Sequence, residues 1–153
     1  MQTMTAPIQM THENWARGYV LDGWKMPPIA SVLQGQLESH DPVAAILRVR
    51  FPTKPEYANP GGVVMGGIVS AMLDDCMGPL VAAQSGGTKF PSSTDLHTQF
   101  FKGVAIGPPC LVEARIDKLG RSIAFTSAVL INEKGEICAK AVHTAVLMDA
   151  PKI

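Results

Sequence analysis

The sequence predicts an α+β fold, a largely antiparallel sheet with one long apolar helix buried against it. Three observations carry that prediction. Residues 66–83 place Ile68, Met72, Cys76 and Leu80 at helical spacing. Beyond Ser85-Gly86-Gly87 the apolar period changes to two. The extended runs then follow one another at short spacing, which favours antiparallel neighbours over parallel crossovers.

Residues 1–11 read as a frayed arm. Thr11 then caps HENWARGYVLDGW, where Glu13 in the first turn favours a short helix. Trp15, Tyr19 and Trp24 give that helix an apolar face to pack on a larger body. Pro27-Pro28 closes it, so residues 1–28 form an N-terminal arm and short helix, and 29–153 a single domain. The runs 29–39 (IASVLQGQLES) and 43–50 (VAAILRVR) read as strands joined by a turn at His40-Asp41-Pro42. Residues 51–62 (FPTKPEYANPGG) hold three of the 12 prolines, a loop long enough to suggest function. The long helix follows. Within it Pro79 removes the N–H that would reach the Asp75 carbonyl and disfavours a helical Gly78, so a kink or stop is expected there. Extended runs at 89–101, 108–119, 121–132 and 136–148 complete the chain, the last two joined by the turn-forming Asn132-Glu133-Lys134-Gly135.

A chain of 153 residues, 46% hydrophobic and 17% charged, has the length and composition of one globular domain and not of a disordered chain. Thirteen basic and 13 acidic residues cancel, so no broad basic field exists for duplex nucleic acid. Cys76, Cys110 and Cys138 have no metal spacing and read as buried, reduced thiols, which suits the cytoplasm. The N-terminus lacks the basic and apolar regions of a signal peptide, and no run approaches the ~20 apolar residues needed to span a bilayer, so the expectation is a soluble protein without membrane contact.

The chemistry concentrates between Asn59 and Asp75. Gly66-Gly67 opens the long helix, exposing backbone N–H groups that have no partner within it and carry the positive end of its dipole. A carbonyl oxygen becoming an oxyanion can use such donors. Two turns on, Asp74 and Asp75 interrupt an apolar stretch. Gly67, Ser70, Ala71, Asp74 and Gly78 fall near one face, a groove of small side chains around one acid, which can activate water or attack a carbonyl. A plainer reading stands beside this one: Gly-Gly also ends ordinary loops, and a helical Asp is often merely solvated. Successive residues differ by about 100° around a helix, so only one of the two acids can face the groove.

The segment from Asn59 through Gly66-Gly67 to Asp74, with Ser92-Ser93-Thr94-Asp95-Leu96, Gly120-Arg121-Ser122-Ile123-Ala124-Phe125-Thr126-Ser127 and the hairpin NEKGEICAKA, resembles the hotdog-fold acyl-CoA thioesterases, in particular the phenylacetate-pathway (PaaI-like) group. The resemblance covers about residues 29–148. It implies a hotdog fold and hydrolysis of a coenzyme A thioester, with coenzyme A part of the substrate and no separate cofactor. By position it implies that Asp74 attacks or activates water, that the Gly66 N–H polarises the thioester carbonyl, that Asn59 helps place carbonyl or water, and that Ser93 supports the acid. Met65, Gly67 and Ser70 would line the substrate pocket. Met65 departs from the family, which usually has histidine there; a thioether neither donates a hydrogen bond nor titrates, although the Gly66 N–H does not depend on it.

Eight residues separate Gly66 from Asp74, a helical rise of about 12 Å. Donor and acid acting on one carbonyl must each come within about 3 Å of it, so one chain cannot supply both. The expectation is a site shared across a two-fold axis, in keeping with the dimers, often paired into tetramers, that the resemblance implies. For the coenzyme A phosphates, Arg121 beside Gly120 is the leading candidate, in the position where the family tends to hold the nucleotide; Lys118, Lys102 and Lys89 are weaker, each also readable as a solvated charge. His97 and His143, in strands, read as structural, and His12 and His40 as lying in exposed segments; none makes a metal-ligand spacing, so no metal is expected. There is no serine nucleophile elbow and no catalytic cysteine signature. Two other readings remain: a non-catalytic acyl-CoA-binding protein, suggested by Met65, and a dehydratase, disfavoured because no histidine occurs between His40 and His97.

Overall fold

The computed structural model describes residues 5–16 and 26–150. In chain order the elements are α1 (His12–Ala16), α2 (Pro28–Leu33), β1 (Gln36–Asp41), β2 (Ile46–Phe51), a 3-10 turn (Pro55–Tyr57), α3 (Gly66–Gln84), β3 (Lys89–Phe100), β4 (Cys110–Leu119), β5 (Ile123–Ile131) and β6 (Ile137–Asp149). The six strands form one antiparallel sheet in the order β1-β2-β4-β5-β6-β3. It wraps around α3, the hotdog arrangement expected from the sequence.

Alternation along the strands explains the wrapping. Leu47, Val49 and Phe51 of β2 and Cys110 and Val112 of β4 are buried. On β5 and β6 the buried face is built largely from alanines: Ala124, Ala128, Ala139, Ala141 and Ala145. Small side chains there let the helix approach the strands closely, and Met72, Leu73, Cys76, Met77 and Leu80 fill the space between. The three cysteines are free and buried, and burial pushes the Cys76 thiol well up and the Cys110 thiol to about 12.

Several expectations need correction. Residues 29–39 are not one strand. Pro28 opens α2 at its first position, where the missing N–H costs nothing. Gln34 ends it in the left-handed region (φ 56°), its N–H donating to the Ala30 carbonyl at 2.8 Å. Gly35 then lies against Phe51, whose Cε1 would be 2.6 Å from an added Cβ, and only afterwards does β1 begin. The second strand starts at Ile46 and not at 43, because Asp41 Oδ1 accepts the N–H groups of Val43 and Ala44 and holds a turn. The arm is not wholly frayed: the Ile8 N–H donates to the Ala83 carbonyl at 2.9 Å, and Met10 is buried with its N–H on His40 Nδ1 at 3.0 Å, so His40 is half-buried. Trp15 packs into the core and donates from Nε1 to the Gly35 carbonyl at 2.9 Å, whereas Tyr19 and Trp24 lie outside the described residues. Helix α3 does not stop at Pro79 but runs on to Gln84. By length and composition alone it is also apolar enough to cross a membrane, contrary to the sequence expectation; half of the qualifying window is buried within the fold, as in a core helix.

Candidate active site

Helix α3 carries one end of the site at its tip and the other at its middle. At the tip, the loop from Asn59 returns onto itself: Asn59 Oδ1 accepts the N–H of Gly61 at 2.9 Å and of Val63 at 3.3 Å, and Gly62 takes a φ of +78°. That use of the amide oxygen leaves the Asn59 NH2 as the group able to donate outward. Tyr57 is buried, bonded through its hydroxyl to the Val32 carbonyl, and its own carbonyl accepts the Met65 N–H at 2.8 Å. The loop thus delivers Gly66 to the first helical position, where no intrahelical carbonyl reaches its N–H. Asn59 and Gly66 line a common cavity with Phe100, Lys102 and Gly103.

At the middle, Asp74 lines a second cavity together with Ala71, Gly78, Ala82 and Ser93. Its volume is about 430 Å³, and Ile29, Leu33, Phe90 and Pro91 give it apolar walls. The Asp74 side chain is 46% exposed. Behind it stands His143, with its side chain only 1% exposed and Nε2 3.7 Å from Asp74 Oδ1. The same Nε2 lies 2.7 Å from Ser93 Oγ, and Nδ1 lies 3.0 Å from Thr126 Oγ1. Burial pushes the imidazole below its ordinary pKa, against the opposing pull of Asp74 and Asp95, which leaves it neutral near pH 7.

The structure therefore groups Asn59 with Gly66, and Asp74 with Ser93, in separate cavities of the chain. Asp75 also borders the Asp74 cavity. Met65, Gly67 and Ser70 line neither one. Met65 is exposed at the helix cap, where its Cε lies 2.9 Å from the place a Gly67 Cβ would take, and Ser70 donates to Thr98 Oγ1 at 3.0 Å. Gly120, Arg121 and Lys118 sit at the β4–β5 turn, also outside both linings. That turn is closed by the Gly120 N–H on the Ile123 carbonyl at 2.8 Å, and Ile123 registers with Val146, which registers with Ser92. Two strand spacings, about 10 Å, thus separate the turn from the β3 end of the Asp74 cavity. Lys102 does reach the Gly66 cavity, ion-paired with Glu136 at 2.8 Å, while Lys89 pairs with Asp149.

His143, expected to be structural, is buried and hydrogen-bonded through both ring nitrogens. It also meets the acid and Ser93: although no histidine occurs between His40 and His97, one more distant in sequence comes within 3.7 Å of the helix carboxylate. A signal was present: along β6 the inward positions read Ala139, Ala141, His143, Ala145, one large polar ring among alanines. Among the described residues, no cluster of histidine, cysteine and carboxylate side chains could hold a metal.

A sheet of this order around a single helix, with an exposed helix tip and a mid-helix carboxylate, defines the hotdog class of protein. The thioesterase superfamily model matches residues 61–139. An esterase-named protein of Schizosaccharomyces pombe is 34% identical over 109 residues, covering 71% of this chain and 67% of that one. The phenylacetic acid degradation-related protein of Ralstonia eutropha superposes with a TM-score of 0.78 at 27% identity, over 88% of this chain and 98% of that one. A Streptococcus mutans protein solved with acetyl-CoA bound shares the fold at a TM-score of 0.70 and 17% identity, over 77% of this chain and 91% of that one. The chain belongs to the thioesterase superfamily, and its relatives include the PaaI-like proteins.

Proposed function

We propose that the protein hydrolyses an acyl-CoA thioester to the free acid and coenzyme A, in a site assembled from two copies of the chain. The observation that carries this reading is the division of the reactive groups between two cavities on opposite halves of β3. The Asp74 cavity takes in Phe90, Pro91 and Ser93 of that strand, and the Gly66 cavity takes in Phe100. β3 is a 12-residue edge strand with no neighbour on its outer side among the described residues, a template for pairing with another chain. A two-fold axis near its midpoint sets the Phe90 end of one copy against the Phe100 end of the other. The Gly66 donor of one protomer then faces the Asp74 carboxylate of its partner, which removes the 12 Å conflict within one helix.

In such a site the thioester oxygen lies against the Gly66 N–H and the Asn59 amide. Asp74 takes a proton from water while the water oxygen bonds to the carbonyl carbon, or attacks that carbon itself; Ser93 supports it. Collapse of the oxyanion breaks the C–S bond and releases the thiolate of coenzyme A, which is then protonated; in the second route the acyl group is left as an anhydride on Asp74, which water hydrolyses to the free acid. The apolar cavity runs from Asp74 to Ala82, about 12 Å along the helix, and suits an apolar acyl chain. Support for coenzyme A as the leaving group comes from the similar Streptococcus mutans chain, solved with acetyl-CoA. The Gly120-Arg121 turn with Lys118 would hold the nucleotide portion, and dimers would pair further into a tetramer.

Met65 favours a second reading, an acyl-CoA-binding protein without turnover. A panel of acyl-CoAs assayed for free thiol separates the two: release that Asp74→Asn abolishes without loss of folding supports the hydrolase, and tight binding without release supports the binder.

A further inference from the structure

We propose that His143 is a positioning residue for the acid side of the site, acting through Ser93: its Nε2–H holds Ser93 Oγ so that the serine's own proton is aimed at Asp74 or at the water Asp74 activates. This rests on the hydrolase reading. The ring itself cannot meet substrate, since its side chain is 1% exposed and lies behind Asp74 and Ser93. Its position is over-determined. Thr126, its cross-strand partner on β5, is buried and bonds Nδ1 at 3.0 Å. On the other side, β3 carries a bulge between Ser93 and Asp95, with Thr94 Oγ1 donating to the Thr144 carbonyl at 3.1 Å. Such an extra residue re-aims the side chains beside it, here setting Ser93 Oγ 2.7 Å from Nε2.

The direction of the hydrogen bonds follows from the charges. A neutral imidazole carries one N–H. The Asp74 carboxylate lies 3.7 Å from Nε2, and a negative charge there favours the tautomer with its proton on Nε2. Nδ1 then accepts from the Thr126 hydroxyl, and Ser93 Oγ accepts from Nε2–H. The serine proton is left pointing away from the ring, toward the cavity that Asp74 and Ser93 share. Packing alone gives no reason for an imidazole here, because its inward neighbours on β6 are alanines.

A double-mutant cycle on the full chain, with steady-state thiol release from acyl-CoA as the readout, tests this. Ser93→Ala and His143→Ala are each expected to lower kcat by about tenfold, with KM changed less than about twofold. The double variant should be no slower than Ser93→Ala alone, since the imidazole acts only through the hydroxyl. His143→Gln, which keeps an N–H donor, should recover most of the loss. Thr126→Val, which frees the tautomer without touching Ser93, should lower kcat several-fold, and it serves as the test if His143→Ala does not fold. Multiplicative losses of about 100-fold in the double variant, or Gln performing no better than Ala, would overturn the assignment with the hydrolase intact. Silence of the wild-type chain on every acyl-CoA would instead overturn both readings.

Discussion

The tip of α3 and its middle are built from opposite materials. The tip offers backbone: the Gly66 N–H at the first helical position, steadied by a loop that Asn59 folds with its own side chain. The middle offers side chains: a half-exposed Asp74 backed by a buried His143 and the cavity-lining Ser93. A backbone donor is indifferent to the side chains flanking it, so Met65, which neither donates nor titrates, can stand at the helix cap without removing the Gly66 N–H. A carboxylate site has no such tolerance, because its function lies in the replaceable atoms. The difference teaches where substitutions should be silent and where they should be severe.

The sharpest break comes from the side-chain end. Asp74→Asn keeps the shape and removes the proposed base, and is expected to lower kcat by about 10²–10⁴-fold with the thermal midpoint unchanged, as steady-state thiol release and a melting curve will show. At the backbone end, Gly66→Pro deletes the donor at a position whose backbone accepts proline. Proline is accepted at the first helical position, and Met65 before it already lies at φ −58°, ψ 137°, the region a following proline requires. The expected loss is about 10²–10³-fold in kcat. Gly66→Ala, whose Cβ meets the same Phe100 ring at 3.2 Å but whose N–H remains, should lose far less, and the Pro-to-Ala ratio isolates the donor.

Smaller effects refine the comparison. Ala82 lines the Asp74 cavity two helical turns beyond the acid; Ala82→Leu should cut kcat/KM for long acyl chains by about tenfold while acetyl-CoA changes less than twofold. The least effect is on stability. Burial holds His143 below its ordinary pKa, with Asp74 on α3 and Asp95 on β3 the carboxylates that oppose it. The unfolded chain therefore binds the proton first as the pH falls, so this contribution is complete above about pH 6.5 and is lost as the pH drops through the folded value. The wild-type melting temperature should therefore fall more over that window than that of His143→Gln.

What was legible in the sequence follows the length of each periodic signal. Helix α3 and strands β3 to β6 are legible to within two residues at most ends, because nine or more residues at one period leave little ambiguity. The six-residue α2 reads as strand from the sequence, since Ile29, Val32 and Leu33 suit either period over so short a span, and Pro27-Pro28 reads as the close of the preceding helix where Pro28 in fact opens the next. That error hid Ile29 and Leu33 as walls of the Asp74 cavity. The pairing of His143 with Ser93 was out of reach for a different reason. It depends on the β3–β6 register and a bulge, and the two residues stand 50 positions apart in the chain.

The claim that one working site draws on two chains is tested most directly by mixing the two severe variants. Asp74→Asn and Gly66→Pro chains, carrying different affinity tags and purified as the mixed dimer, place an intact donor opposite an intact acid in one of the two sites. The account predicts about half the wild-type kcat per dimer, where each parent homodimer is nearly silent. A mixed dimer no more active than its parents would contradict it.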